Sequence, residues 1–297
     1  WLGFLSLAVA IGSAQLLLDR GHRLDWFESF EISAELFICL VAVLFFVSST
    51  IFSKNPLFDR TMFKNWNFII GLFTMLLMGA LSFTPITLFP MLLQDLRGYP
   101  DATAGILLSA RGFGNLASFF IVVQFTKFNA KLALITGMAL QMWAGWEMSN
   151  LNINLTEFDV LWTNFVQGFG FGLAYTPMTV LAFATLSSRL TVQGSACFNM
   201  MRNFGSSLFL SLSILILLRS SAENYAGLSQ IINPMNPLLQ DPQITPYWNT
   251  QSESAILKIT EEITQQSLMG GYLNAFQLYT AVALAAVLLS LSIARIT

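Results

Sequence analysis

Apolar positions along this chain fall into long blocks rather than into alternating or one-sided patterns. A helix rising about 1.5 Å per residue needs about 20 mostly apolar residues to cross a bilayer's hydrocarbon core. Eight stretches reach that scale: 1–18, 32–52, 67–91, 102–126, 131–149, 157–185, 195–219 and 272–294. Polar, turn-rich connections separate them, among them LDRGHRLDWFESFE, SKNPLFDRTMFKNWN, QDLRGYPDA, a very short TKFNAK, SNLNINLTEFD and SSRLTVQG. The pattern predicts an all-α integral membrane protein with eight transmembrane helices. The last connection, 220–271, is predicted to be a long external loop. Within it, SAILKITEEITQQSLM sets Ile256, Ile259, Ile263 and Leu268 near one helical stripe. Two readings stay open for that segment: a short helix resting on the bundle's outer end, or a docking surface for an external protein.

Composition narrows the class further. The 297 residues are 55% hydrophobic and only 10% charged, against about 25% charged in soluble domains. Polar surface is too scarce to cover a globule in water. The net charge of −2 excludes a polybasic nucleic-acid binder. Cys39 and Cys197 lie in apolar runs without a C-x-x-C pattern, and the only histidine, His22, lies in a polar loop. No zinc site, disulfide framework or cofactor is indicated. H-E-x-x-H and G-x-S-x-G are absent, so no enzyme is expected. The chain opens at Trp1 inside an apolar run, without the charged n-region of a signal peptide. It reads as a chain whose beginning is missing.

Charge placement suggests an orientation. Lys54, Arg60, Lys64, Lys127, Lys131, Arg189 and Arg295 fall on one side, with Asp59 as the only acid there. The opposite loops carry Arg20, Arg23, Arg97, Arg219 and Lys258 together with nearly every carboxylate, from Asp19 through Asp241 to Glu262. The basic side is assigned to the cytoplasm.

The richest stretch is 157–218. Gly168 and Gly172 make a G-x-x-x-G face that lets another backbone approach, and Pro177 frees a backbone carbonyl in mid-helix. Tight static packing and a gating helix both fit these residues. Thr84-Pro85-Ile86-Thr87 is echoed by Thr176-Pro177-Met178-Thr179, and Arg111-Gly112-Phe113-Gly114 by Arg202-Asn203-Phe204-Gly205, at nearly one offset. A repeat of three helices is odd in number, so its two copies must be inverted, an arrangement found in transporters.

Arg111 sits about nine residues, or roughly 13 Å, into its span, and Arg202 lies at a similar depth in its own. A central arginine costs about 2.5–3.5 kcal/mol on insertion scales, so each must face the bundle interior, a watery cavity or an anion. Asn115 shares the face of Arg111, and Asn199 that of Arg202, while Asn164, Gln167, Phe171 and Tyr175 form a stripe on the helix between. The set reads as a substrate path, with Gly168, Gly172, Pro85 and Pro177 as gating or packing positions. The alternative is that each arginine only caps neighbouring carbonyls. No carboxylate lies deep in a span, and Glu35 and Glu147 sit near span ends, so acids coupling transport to protons would have to come from outside this chain.

Several stretches resemble the EmrB/QacA-type, fourteen-span drug:proton antiporters of the major facilitator superfamily. LLLDRGHRLDWFES and NPLFDRTMFKNWNF resemble that family's central region, and LLSARGFGNL its L-x-P-R-G-x-G helix. FVQGFGFGLAYTPMTVLAFATL and GSACFNMMRNFGSS resemble its R-G-x-G-x-G…P and N-x-x-R-x-x-G helices, and GYLNAF its Y-N-D-A-F entry into the last span. The resemblance implies two central linker helices in 1–65 and a C-terminal six-helix bundle of two inverted three-helix repeats in 66–297. It further implies a missing N-terminal six-helix bundle that carries the proton-coupling acids. The implied activity is proton-coupled efflux of lipophilic drugs or toxic metabolites through the bacterial inner membrane. In Gram-negative relatives it also implies a periplasmic adaptor and an outer-membrane channel. Gln167 stands where the family usually has arginine, and Asn274 where aspartate is usual. A dedicated metabolite or lipid exporter and a non-transporting membrane scaffold are the competing readings.

Overall fold

The computed structural model describes residues 1–21, 23–53, 57–232 and 252–293, and among them every regular element is a helix. The helices are α1 (Leu2–Gly21), α2 (Phe30–Phe52), α3 (Trp66–Arg97), α4 (Asp101–Ser149), α5 (Glu157–Phe183), α6 (Thr191–Ile231) and α7 (Glu253–Ser292). His22, Lys54, Asp241 and Arg295 lie outside the described residues. Among the described residues six helices are long and apolar enough to cross a membrane: α1, α2, α3, α4, α6 with the short turn before it, and α7. Helix α5 is not among these six. Its glycines, Asn164, Gln167 and threonines dilute its apolar character, and most of them are buried against neighbouring helices.

Helix α4 is two arms. Asn129 leaves helical geometry at φ −161° and ψ 96°, and its side chain accepts from the Leu132 amide at 3.1 Å, so it N-caps the second arm. Packing against α5 shows the direction of each arm. Gly168 meets Arg111 and Gly172 meets Asn115 and Ser118, an ascending register, whereas Gly137 meets Ala174 and Gly170 meets Gln141, a descending one. The chain therefore reverses at Asn129, and the TKFNAK connection shrinks to one non-helical residue.

The long polar loop expected over 220–271 differs most. Helix α6 runs on to Ile231 and α7 begins at Glu253. Each is about 60 Å long at 1.5 Å per residue, twice a bilayer core of about 30 Å. The segment SAILKITEEITQQSLM is the first part of α7, with Ala255, Ile259 and Ser267 as its buried stripe. They fall at i, i+4 and i+12 on one face; of the expected stripe Ile259 is buried, Ile263 and Leu268 are half-buried and Ile256 is exposed.

Two apolar cores fill the bundle. Phe68, Met75, Met78, Met178, Leu181 and Phe198 belong to one, and Leu88, Phe89, Leu92, Val160, Tyr272 and Phe276 to the other. Helices α1 and α2 pair with each other and reach the bundle mainly through α6, where the Ser211 hydroxyl donates to the Leu18 carbonyl at 2.7 Å. Only Ile32 and Ala42 of α2 are buried, and Phe30, Phe37 and Leu44 point outward. An apolar exposed face of that size belongs in lipid or against protein.

Side chains fasten the basic end. Arg60 donates to the Thr50, Ile51 and Ser53 carbonyls, closing the end of α2. Lys131 donates to the Leu291 and Ile293 carbonyls at 2.8 and 2.7 Å, closing the end of α7. Asn65 caps α3 and joins the α5–α6 turn through the Thr185 carbonyl and hydroxyl at 2.9 and 2.8 Å. Asp59 accepts from the Thr61 amide and hydroxyl at 2.9 and 2.8 Å. Those bonds, with Arg189 and Arg60 nearby, hold its carboxyl below the ordinary aspartate value.

Candidate functional site

Two glycine crossings place the membrane arginines. A methyl at Gly168 would collide with the Arg111 carbonyl, and one at Gly114 with the Phe165 carbonyl, so α4's first arm and α5 touch backbone to backbone. The same contact recurs between α3 and α6. A methyl at Gly79 would collide with the Arg202 carbonyl, and one at Gly205 with the Leu76 carbonyl. Each arginine thus springs from the closest point of a helix pair, and Gly168 and Gly172 have their partner in α4. Gly170, between them, faces the second arm at Gly137 and Leu140, so α5 is wedged between both arms.

Behind the first crossing lies a buried polar knot. Pro85 has no amide hydrogen, which leaves the Leu81 carbonyl of α3 without its helical donor. Gln167 of α5 supplies one: its Nε2 donates to that carbonyl at 2.9 Å and to Gln141 Oε1 at 3.3 Å. Gln141 in turn donates to the Gln167 carbonyl at 2.8 Å, and the Tyr279 hydroxyl of α7 donates to Gln141 Oε1. Gln141, Gln167 and Tyr279 are 1%, 0% and 2% exposed, so the knot ties four helices together out of contact with solvent. Helix α3 stays continuous through Pro85, as α5 does through Pro177.

The expected path residues separate into two groups. Asn164 and Gln167 are buried, and Asn164 spends its Nδ2 on the Val160 carbonyl of its own helix. Phe171 and Tyr175 are half-buried, with ring centres 5.8 Å apart. Asn115 sits half-buried against Gly172, while Asn199 is exposed and donates to the Ser195 carbonyl. Arg111 Nη1 and Arg202 Nε are buried without a partner, and so is Gln167 Oε1. Arg111 lies within electrostatic reach of Tyr279. Among the described residues neither arginine has an ion pair. Gln141 and Tyr279 escaped the sequence reading. The signal available was Pro85 itself, which demands a donor for Leu81 from some neighbouring helix.

No family model matches the chain. The multidrug export protein EmrB of Escherichia coli (strain K12) is 29% identical over 272 residues, which cover 90% of this chain and 53% of that protein. The chain is a relative of the EmrB-type multidrug exporters. The probable multidrug resistance protein EmrY of the same organism is 26% identical over 295 residues, 97% of this chain and 56% of its own length. The fatty acid resistance protein FarB of Neisseria gonorrhoeae is 26% identical, covering 91% and 54%. The chain spans about half the length of the curated proteins it matches. A bacterial homolog of the human lysosomal transporter Spinster, solved inward-facing and occupied, superposes with TM-score 0.56 at 14% identity over 98% of this chain and 68% of that one. That likeness concerns the fold alone. The chain is a multi-pass protein of the bacterial inner membrane.

Proposed function

We propose that this chain forms the C-terminal half of an exporter of lipophilic compounds that works by alternating access. The observation that carries the reading is the pair of reciprocal glycine crossings. In each, a glycine three residues after an arginine presses on one helix, and a glycine of that helix presses back on the arginine's carbonyl. The pair of α4's first arm and α5 runs from the acidic end of the bundle to the basic end. The pair α3 and α6 runs the other way. Such a relation is what two inverted three-helix repeats produce, one being α3 with the two arms of α4 and the other α5 to α7. Counting both arms and α5 as spans gives eight transmembrane helices. On this reading residues 1–65 form a linker pair and 66–297 the transporter bundle, with the basic end in the cytoplasm.

Arg111, Arg202, Asn115, Phe171, Tyr175 and Asn199 are assigned to the path, and Asn164 and Gln167 support it from behind. With no acid at either arginine among the described residues, proton coupling on this reading comes from a partner bundle supplied by the other half of the protein. In a Gram-negative cell a periplasmic adaptor and an outer-membrane channel would complete the route. The FarB relative favours, as a second reading, export of a lipid or a dedicated metabolite. The test is efflux of a lipophilic dye from cells expressing the full-length protein. Arg111→Ala and Arg202→Ala should abolish most of it, and wild-type efflux from both variants would reduce the arginines to helix caps.

A further inference from the structure

Each of the two helix pairs is locked by its glycines, α4 with α5 and α3 with α6. Polar bonds join the pairs at their two ends, Asn65 with Thr185 and Gln94 with Asp101; in mid-helix the pairs are joined by the bond from Gln167 to the Leu81 carbonyl. That bond lands at the site where α3 has lost a backbone hydrogen bond to Pro85. Pro177 and Pro90 free the Leu173 and Ile86 carbonyls in the same way, but among the described residues no side-chain donor is seen at either. We infer that Gln167 is a breakable clasp across a proline joint in α3, and that its release lets the two glycine-locked pairs move relative to each other.

The physical argument has three parts. A buried carbonyl without a donor is costly, so the clasp holds α3 straight while Gln167 stays in reach. A proline turn has one fewer restraint than the rest of the helix, so bending concentrates there. Gln167 also has an alternative partner close by, because Gln141 Oε1 already shares its Nε2. Letting go of Leu81 therefore does not leave the amide bare. The tight crossings cannot slide without a backbone collision, so motion inside the bundle falls to this joint. The inference rests on the alternating-access reading for its purpose, though not for its test.

The test joins a double-mutant cycle to a distance measurement on the full-length protein. In the cycle, Gln167→Leu should lower the thermal unfolding midpoint in detergent. Pro85→Ala, which returns an amide donor to Leu81, should erase most of that loss. For the distances, nitroxides are placed at Met91→Cys and Phe158→Cys, both exposed, in a background where Cys39 and Cys197 are replaced. Electron–electron resonance in lipid nanodiscs should then show a broader distribution with Gln167→Leu and a narrower one with Pro85→Ala. Additive single and double variants would overturn the clasp. Coupling with an unchanged distance distribution would overturn the joint. If Gln167→Leu does not fold, Gln167→Met enters the same cycle, and Pro85→Ala alone must still narrow the distribution. Neither readout needs transport, so a failed efflux assay would strike the functional reading and leave this one standing or falling on its own.

Discussion

Gly112 and Gly114 lie two residues apart on the same arm of α4 and should respond in opposite ways to the same substitution. A methyl at Gly112 meets nothing within 4 Å. Replacing this glycine with alanine should therefore yield the helix-propensity gain alone, about 1 kcal/mol at most. A methyl at Gly114 would overlap the Phe165 carbonyl and come within 2.9 Å of the Phe169 amide nitrogen. Both obstacles are backbone, which cannot rotate away as a side-chain tip can. The arm and α5 must part, adding an overpacking cost of about 1–3 kcal/mol that outweighs the same propensity gain. The two variants should therefore differ by about 1–3 kcal/mol, with Gly114→Ala the less stable. At about 2–4 °C per kcal/mol for chains of this size, circular dichroism melts of the detergent-purified protein resolve the difference. Equal midpoints for Gly112→Ala and Gly114→Ala would refute backbone contact at this crossing, and with it the argument for how Arg111 is placed.

Further outcomes follow from single bonds. Tyr279→Phe removes one donor to Gln141 Oε1 but leaves Gln167 bonded to it, so the loss should stay near 1 kcal/mol by chemical denaturation. Lys131→Met strips two carbonyls of the α7 end of their donor. Amide exchange should quicken over the last turn of α7, with about 0.3–1 kcal/mol lost. Asp59, whose carboxyl is held below its ordinary value by Thr61, contributes stability that is present at neutral pH. That contribution is lost as pH falls through the depressed value, below about 4. Protection of the Thr61 amide should collapse there in the wild type, and should be weak at every pH in Asp59→Ala.

Long apolar blocks carried most of the fold, because a bilayer forces each spanning segment to satisfy its own backbone. The close-approach role of Gly168 and Gly172 was legible for the same reason, since G-x-x-x-G has few other uses in lipid. Ends and partners were not. Residues 220–231 read as loop from polarity, and 254–269 only as a short helix or docking surface within that loop, although a helix outside the membrane can be as polar as a loop, and α6 and α7 pack along each other at Gly270 and Gly271. Gln167 read as a cavity residue because spacing shows which residues share a face, not what that face meets. Its role became visible once α3 lay beside it and exposed the carbonyl that Pro85 had freed. Gln141 and Tyr279 were invisible for the same reason, being single polar residues in apolar runs whose partners lie on other helices.

The measurement that bears most directly on the whole account is dye transport in proteoliposomes under an imposed pH gradient. The full-length protein should drive uphill dye movement, and Arg111→Ala and Arg202→Ala should each lose most of it. The 297-residue chain by itself should move neither dye nor protons. Uphill transport by this chain alone would contradict the claim that it supplies one half of the exporter, as would full activity in both arginine variants.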